Sequence, residues 1–548
     1  MGTSGLGRRV LGPLCAVLLA AGLLAAAPPG ASAEAPFDGG RTRFSGTPVP
    51  TGQTDGPVWA VEVAGGRIYA GGEFTSTRPS GAAAGARETG QGALAAFDAD
   101  TGAPIDSFSP RFGTFEDDAV PTVWATALSP DGSRLYVGGN FNSVDGQEAR
   151  RIAVFDTASG RFLGQVGRNG VDGQVTALAA SPDGTTLYAG GQFTQANNTR
   201  RVRTAAFDVT TPDGTGGALR EWSPQLSGTI DFVGGAPKEA LRVVSLAVSS
   251  DNARVFVAGP FREVNGTPMQ GFAATYEGDG SLVPGFRGDY FSVPYGWGTA
   301  VEVAGDEVYV GARDDGTSGL TRREGVYSLD STTGAETWYL NCYGDTFGLQ
   351  VVGADLYVAS HAHDCSANGG HPETSPRTYL AIEAVNRATG RVKPYFVQTS
   401  GATQKTRLLS RALASDGRQL VMGGGYARVN ERLQGNLTRF RTGSAAPQGV
   451  VAPQVSTCRG CRQVRVRVPL AFDRDDVRLR YEIIRRNQTG QPVRRIARQS
   501  VIWRKGAIVF RDRGPARGSR VFYRVRVSDP TGATRLSGRS RTVRVGRP

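Results

Sequence analysis

The sequence predicts an all-β protein in which a β-propeller of about seven blades precedes a small β-sandwich. Three observations lead to this fold class. A strand-and-turn pattern returns seven times between residues 57 and 443, 76 of the 548 residues are glycine, and the C-terminal part alternates apolar residues with arginine at a period of two. The first two observations predict the ring of sheets, and the third predicts the sandwich.

The N-terminus has the composition of a secretory signal. Arg8 and Arg9 precede an apolar run over residues 10–27, and Ala-Ser-Ala at residues 31–33 matches an A-x-A cleavage site. We therefore expect residues 1–33 to be a signal peptide. The mature protein is then secreted and extracellular, and no later stretch is long and apolar enough to predict a membrane span.

The repeat is clearest in its first three copies, in which a V-x-A strand leads to a strand with an aromatic residue and two glycines. These pairs occupy residues 58–60 and 68–74, 123–125 and 135–141, and 175–177 and 187–193. Weaker copies follow near residues 255, 308, 356 and 420. Each copy contains four strand signals separated by Pro-Asp-Gly or Asp-x-x-x-Gly turns, which is the pattern of a propeller blade. The glycine pair predicts a place where backbones approach closely.

The seventh copy has no fourth strand signal before the composition changes at residue 443. We expect residues 40–47, which include Arg43 and Phe44, to supply this strand and to close the ring without exposed sheet edges. The propeller is thus predicted over residues 34–443. A linker at residues 444–452 and the sandwich at residues 453–548 follow.

These motifs resemble the delta-sixty repeat and related secreted β-propeller families. The resemblance covers residues 57–443 and rests on the V-x-A strand, the Pro-Asp-Gly turn, the [LIV]-Y-[VA]-G-G-x-F strand and the A-A-F-D-x-x-T-G strand. Pro260, Ala312 and Ser360 break the motif in later copies. The resemblance implies the propeller fold and no particular activity.

The C-terminal module is predicted to be a basic sandwich. At residues 464–468 and 523–527, valine or tyrosine alternates with arginine, which gives each strand an apolar face and a basic face. The strand at residues 479–483 and the hairpin of residues 523–532 and 540–545 resemble a fibronectin type III domain.

Charge is distributed unevenly between the two parts. From residue 459 onward the chain has 25 Lys and Arg but six Asp and Glu, whereas the remainder has 37 and 43. An anionic cell-envelope polymer is the partner that this excess predicts. The open alternative is a coding bias toward arginine, although such a bias does not remove carboxylates.

Loops that enter the inner strands of a propeller surround the mouth of its channel, where function is usually placed. Charged and aromatic residues on these loops predict a binding rim for an extracellular glycan or protein: Asp55, Asp172, Lys238, Arg242, Trp297, Asp345 and Arg407. The structural alternative is that they are solvated loop residues. We expect a monomer without a nucleic acid partner.

Copy six contains all three histidines of the chain, His361, His363 and His371. At strand spacing His361 and His363 point to one side, and His371 can complete a site for zinc or a similar divalent ion. The alternative is structural. Cys342 and Cys365 lie on the same face of this copy, and a disulfide between them requires no metal.

Cys458 and Cys461 have the C-x-x-C spacing, but no second pair accompanies them. They predict a local disulfide at the start of the sandwich rather than a redox or zinc centre. A redox role remains the alternative.

Two functions follow from the sequence. The first is a secreted, non-catalytic binding or cell-envelope-associated protein without a cofactor. In it the propeller face recognises a glycan or protein, and the basic module attaches to anionic polymer. The second is a secreted hydrolase or lyase with a metal-assisted site near His361 and His363. The first is favoured, because no paired carboxylates, nucleophile motif or complete metal motif recurs where the fold would bring its residues together.

Overall fold

A computed structural model describes residues 40–114, 120–230, 240–287, 289–291, 296–314, 323–401, 410–485 and 491–546. The predicted signal peptide at residues 1–33 and the rim candidates Lys238 and Arg407 lie outside the described residues. The described part of the chain contains no helix of the length and apolarity needed to cross a membrane.

The body of the protein is a ring of antiparallel β-sheets, and the predicted propeller fold is confirmed. Among the described residues, seven sheets of three or four strands follow one another along the chain. The inner strand of each sheet contacts the inner strand of the next, and the seventh contacts the first, so the ring is closed.

Listed with the inner strand first, the sheets are Val58–Ala64, Arg67–Gly72 and Leu94–Asp98; Thr122–Leu128, Arg134–Asn140, Ile152–Asp156 and Phe162–Gln165; Val175–Ala180, Thr186–Gly191 and Thr204–Asp208; Ser245–Val248, Arg254–Ala258 and Phe272–Tyr276; Gly296–Ala304, Glu307–Asp314, Gly325–Asp330 and Glu336–Leu340; Thr346–Val352, Asp355–Ala362, Leu380–Asn386 and Val392–Val397; and Ala412–Ser415, Gln419–Gly423 and Leu437–Arg441. We refer to them as sheets one to seven.

Where a repeat has the glycine pair, the two glycines allow neighbouring backbones to pack closely. A Cβ atom added to Gly71 would lie 2.3 Å from Cγ1 of Val123 on the next inner strand. One added to Gly72 would lie 2.1 Å from the carbonyl oxygen of Pro57, beside the β-bulge at the start of the same sheet's inner strand. The first glycine therefore sets the distance between sheets, and the second leaves space for the bulge.

In sheet four the glycine and the larger residue of this contact between neighbouring sheets have changed places. Ala258 stands where the other early copies have the first glycine, and the facing residue on the next inner strand is Gly298. A Cβ atom on Gly298 would lie 3.0 Å from that of Ala258. The close approach is thus kept although the sequence motif is lost.

Both ends of the propeller contribute to sheet seven. Phe44 pairs with Thr442 and Val49 with Arg439, both in antiparallel bridges along the outer side of the last strand. The Phe44 side chain is fully buried in the core between sheets six and seven. The N-terminal segment therefore covers what would otherwise be a free sheet edge.

Arg439 joins three parts of this closure. Its buried guanidinium donates to the carbonyl oxygens of Ala99, in the outer turn of sheet one, and of Pro50, in the N-terminal segment, each at 2.7 Å. Burial lowers the pKa of Arg439 to about 10. Its role could not be seen in the repeat pattern.

A second tier of short sheets lies on the face where the chain enters the inner strands. In sheets one to four and seven, the hairpin between the second and third strands pairs with the segment that enters the same sheet. These short strands are Gln53–Thr54, Ser76–Arg78 and Thr89–Gly90; Phe112–Gly113, Ser143–Val144 and Gln147–Glu148; Gln195–Ala196 and Thr199–Arg200; Leu226–Ser227, Glu263–Val264 and Thr267–Pro268; and Thr399–Ser400, Arg428–Val429 and Arg432–Leu433. We call this side the loop face. A single 3-10 turn, Ser366–Asn368, is the one helical element in the described residues.

The C-terminal module consists of two main sheets around one apolar core. The first contains Gln454–Ser456, Val464–Pro469 and Ala507–Asp512, and the second contains Pro492–Gln499, Arg478–Arg485, Tyr523–Ser528 and Thr534–Leu536. Two short strands, Arg520–Val521 and Val543–Arg544, pair beside them. The fibronectin type III assignment stays a prediction.

The module packs directly on sheet six. Arg474 donates to the carbonyl oxygen of Phe396 at 2.9 Å, and its own carbonyl accepts from the Phe396 N–H at 2.8 Å. The Trp503 ring lies edge-on to Phe396 at 5.0 Å and to His371 at 6.2 Å. The module therefore contacts the copy that contains the histidines.

Candidate functional site

The rim candidates Asp55 and Asp172 position loops of their own sheets. Asp55 accepts hydrogen bonds from the N–H groups of Thr75 and Ser76 at 2.8 and 2.9 Å, and from the Thr75 hydroxyl at 2.5 Å. Asp172 accepts the matching set in sheet three. Burial alone would raise the pKa of Asp55, but the hydrogen bonds outweigh it and hold that pKa below its usual value. Ligand binding by these carboxylates stays a prediction.

Trp297 and Asp345 are brought together by Arg313, a residue that no motif in the sequence singles out. The Arg313 guanidinium lies 5.1 Å from the centre of the Trp297 ring, and its Nε lies 3.4 Å from Oδ2 of Asp345. Arg242 lies at the entrance to sheet four, where its carbonyl oxygen occupies the space beside Gly259. Of the rim candidates that the structure describes, Trp297 and Asp345 thus share one cluster.

The three histidines lie in sheet six among aromatic rings. His361 is 6.0 Å from the ring of Phe347, and His363 is 5.9 Å from that of Tyr379. His371 is buried, and burial lowers its pKa to about 4. In the described residues, the ligand atoms of the three histidines do not gather within 4.8 Å of one another. No preformed histidine ligand set is therefore present among the described residues, and the zinc site stays a prediction.

The structure pairs Cys342 with Cys365 and Cys458 with Cys461, as predicted. The first pair joins the segment entering sheet six to the loop between its second and third strands, where other sheets have a short sheet. Oε1 of Glu383 lies 2.6 Å from Sγ of Cys365, and burial raises the pKa of Glu383 to about 8. Within the described residues, these three form the one set of ligand-type atoms within 4.8 Å of one another, and its two sulfurs are bonded together.

The axis of the ring is a cavity of about 220 Å³ lined by all seven inner strands. Its walls are mostly small or apolar side chains. The alanines among them are Ala60, Ala125, Ala177, Ala300 and Ala412. Although these side chains are mostly small or apolar, the surface that the cavity exposes is mainly polar.

Three large side chains from consecutive sheets stack at the loop-face end of this axis. The rings of Trp59 and Trp124 lie 5.4 Å apart with an interplanar angle of 16°. The guanidinium of Arg411 lies 5.2 Å from the centre of the Trp59 ring. All three occupy equivalent positions in their repeats: Trp59 and Trp124 lie near the start of their inner strands, and Arg411 lies directly before the inner strand of sheet seven. The sequence pattern identifies the two tryptophans only as residues of the repeat.

Two carboxyl groups lie deeper along the inner strands, at one shared repeat position. Burial, together with repulsion from Glu302, raises the pKa of Glu62 to about 8. Burial likewise raises the pKa of Glu302 to about 7, although Glu302 accepts a hydrogen bond from the Val351 N–H at 3.3 Å. The sequence predicts no paired carboxylates, whereas the fold brings these two close enough to repel each other.

The acidic groups of the C-terminal module do not neutralise its surface. Five of its six carboxylates are at most 6% exposed: Asp473, Asp475, Asp476, Asp512 and Asp529. The sixth, Glu482, is partly buried and bonded to Arg495 and Arg526 at 3.0 and 3.1 Å. The outer surface is consequently dominated by arginine.

The outer side of the three-stranded sheet is the clearest example, and we call it the arginine face. Arg465 stands directly opposite Arg511 on the neighbouring strand, and Arg467 follows on the same side of its strand. All three side chains are exposed. Like charges directly opposite each other destabilise a sheet, so this face is cationic at some cost to folding.

A match to a protein-family model supports the propeller fold. The sequence model of the family described as the Rax2 C-terminal beta propeller domain matches residues 96–219, from the third strand of sheet one into sheet three. No curated protein matches the chain. A matching solved structure, the β-propeller domain of Cps50 (Swd1) from Myceliophteria thermophila, is 8% identical with a TM-score of 0.40, and the match covers 72% of this chain and 100% of that one.

Proposed function

We propose that this is a non-catalytic binding protein that attaches to an anionic polymer through the arginine face of its C-terminal module. A propeller is a typical scaffold for interactions, and the family match supports that fold. The module adds a cationic surface to a body that is mildly acidic. Such a surface attracts polyanions by releasing their counterions.

The observation that carries the proposal is the uncompensated charge of the arginine face. Arg465 and Arg511 oppose each other across the sheet, and the carboxylates of the module are buried or already bonded. A coding bias explains why these residues are arginine rather than lysine. It does not explain why no exposed acid stands beside them on this sheet. A polyanion lying across the face would relieve the repulsion.

Secretion and a place at the cell envelope belong to the same proposal. They are supported by the N-terminal composition and by two disulfides, which persist in oxidising compartments. The loop face of the propeller would then meet an extracellular glycan or protein, with the cluster of Trp297, Arg313 and Asp345 as part of the contact.

The test is retention of the full chain on a polyphosphate matrix over a salt gradient. The variant Arg465→Glu/Arg511→Glu should elute at clearly lower salt than the wild type. The matched control, Arg168→Glu/Arg200→Glu, changes two exposed propeller arginines by the same charge and should elute close to the wild type. Equal shifts for both variants would assign retention to net charge and reject the face. Absence of wild-type retention at low salt would reject the attachment.

The metal-assisted hydrolase or lyase remains the alternative function. Elemental analysis of the purified protein separates the two. Stoichiometric zinc that disappears in His361→Ala would favour the alternative and count against a purely non-catalytic role.

A further inference from the structure

A cavity of about 660 Å³ lies where the propeller, the linker and the C-terminal module meet, and we call it the junction cavity. One wall is formed by the N-terminal segment and by sheet seven, including Arg432 in its hairpin on the loop face and Arg441 at the end of its last strand. The other wall is formed by residues 443–450 and by Arg535 and Leu536 of the module. The volume is within the roughly 300–1,000 Å³ of sites that bind small organic ligands.

Every charged side chain that lines the junction cavity is an arginine. Arg432, Arg441 and Arg535 are all exposed, and no aspartate or glutamate is part of the lining. Within the described residues, the guanidinium groups of Arg432 and Arg535 form no hydrogen bond and no ion pair. Arg441 contacts the backbone carbonyl of Asp100, and its Nη2 lies 3.8 Å from Oδ1 of that residue. Positive charge from two parts of the chain therefore faces one cavity with little compensation, and such a cavity attracts anions.

The charge of Arg441 also affects the buried arginine of the ring closure. Burial lowers the pKa of Arg439, and the positive charge of Arg441 lowers it further, although Asp98 and Asp100 act in the opposite direction. An anion held in the junction cavity would reduce the repulsion between these two arginines.

Hydrogen bonds fix the walls of the junction cavity. Gln448 and Phe472 exchange two backbone hydrogen bonds of 2.7 and 3.0 Å, and the Gln448 side-chain amide donates to the Thr47 hydroxyl at 3.4 Å. Within the propeller wall, the Ser45 N–H donates to the carbonyl oxygen of Arg441 at 2.9 Å. A site that is held in this way needs little ordering when a ligand binds, which favours affinity.

The remaining lining combines polar and apolar groups. Hydroxyl and amide side chains line both walls and offer donors and acceptors for the hydroxyl groups of a ligand: Ser45, Thr47, Thr442, Ser444 and Gln448. Val450 and Leu536 add apolar surface, and Leu536 is 38% exposed. The lining therefore suits a ligand that has negative charge, hydroxyl groups and C–H surface together.

We propose that the junction cavity binds a short segment of an acidic glycan, that is, a chain of sugar units with carboxylate groups. A guanidinium group forms two parallel hydrogen bonds with a carboxylate, and this geometry favours arginine over lysine. The polar side chains then bind the sugar hydroxyl groups, and Leu536 packs against C–H surface. Because Arg432 belongs to the propeller and Arg535 to the module, the bound segment links the two parts of the protein.

This inference goes beyond the proposed attachment to a polyanion and uses other residues. The arginine face lies on the outer side of a sheet of the module, and neither Arg465 nor Arg511 lines the junction cavity. The face requires only negative charge, whereas the cavity requires a carboxylated sugar. The two proposals can therefore fail separately.

The test is isothermal titration calorimetry of the full chain with trigalacturonate, with the neutral trisaccharide maltotriose and with tripolyphosphate. Trigalacturonate should bind, and maltotriose should not bind measurably. Arg432→Gln/Arg535→Gln should weaken trigalacturonate binding at least about tenfold, because two charged hydrogen-bond donors are lost, and should leave tripolyphosphate binding unchanged. Arg465→Glu/Arg511→Glu should have the reverse effect. The matched control, Arg168→Gln/Arg200→Gln, removes two exposed propeller arginines outside the cavity and should change neither affinity.

A second variant tests the cavity without removing charge. Ala446→Trp adds bulk to the linker wall and should abolish trigalacturonate binding in a chain whose circular dichroism is unchanged. The proposal is overturned if the wild type does not bind trigalacturonate, if maltotriose binds equally well, or if binding survives both cavity variants. It is also overturned if Arg432→Gln/Arg535→Gln weakens tripolyphosphate binding as much as trigalacturonate binding, since charge alone would then explain the site.

Discussion

The substitution Gly71→Ala tests whether the glycine pairs set the distance between neighbouring sheets. The added methyl group would lie 2.3 Å from Cγ1 and 3.1 Å from Cβ of Val123, whereas non-bonded carbon atoms prefer about 3.5–4.0 Å. The inner strand of sheet two must therefore move or change rotamer. Overpacking of this kind costs roughly 1–3 kcal/mol, and we expect the free energy of unfolding to fall by that amount.

The assay is urea unfolding of the full chain followed by tryptophan fluorescence. Gly278→Ala is the matched control, because no atom lies within 4 Å of its added Cβ and its φ angle is not left-handed. It should leave stability unchanged or raise it by about 0.4–1 kcal/mol. Introducing Gly71→Ala into a Val123→Ala background should cost at least about 1 kcal/mol less than in the wild type, since Cγ1 is then absent.

Two results would refute this explanation. One is equal stability of Gly71→Ala and Gly278→Ala. The other is an undiminished penalty for Gly71→Ala in the Val123→Ala background. Either would mean that the sheets adjust freely and that the glycines serve another purpose.

The remaining predictions concern the disulfides, one buried acid and the ring closure. Cys365→Ser opens a bridge with a sequence separation of 23 residues and should lower stability by about 3 kcal/mol in thermal unfolding, whereas Cys458→Ser, with a separation of three, should cost less. The pKa of Glu383 is raised to about 8 by burial, so the folded chain keeps a proton that the unfolded chain releases near pH 4.5. Stability should decline as pH rises from 4.5 to 8, and a urea titration across this range should be flatter for Glu383→Gln. Arg439→Met leaves the carbonyls of the closure without their donor and should cost roughly 1.5–3 kcal/mol in urea unfolding; no loss would show that the guanidinium is dispensable.

The propeller could be predicted because its strand and turn motifs are short segments of sequence that recur in each copy. Each copy contains its strand and turn signals within about sixty residues, so the pattern can be recognised even in sheet four, where Ala258 and Gly298 replace the usual pair. The pairing of the segment around Phe44 with the last copy could also be predicted, because that copy lacks one strand signal. What could not be read locally is which side chains from different copies meet.

The candidate site illustrates this limit. Trp59, Trp124 and Arg411 stand in three separate copies, and only the curvature of the ring brings them into one stack. Glu62 and Glu302 approach each other across the axis for the same reason, contrary to the expectation that no carboxylates would pair. Conversely, Asp55 was a plausible rim residue by position, but its carboxylate is used by the loop beside it.

The closure of the ring by its own N-terminal segment also imposes an order of assembly. Thr51 and Arg439, which share a hydrogen bond, are 388 residues apart. At roughly 5–20 residues per second, a ribosome needs on the order of 20–80 s to make the chain between them. Throughout that interval the segment around Phe44 has no partner strand. A nascent or truncated chain therefore presents two unpaired edges, one at each end, that only the finished body can join.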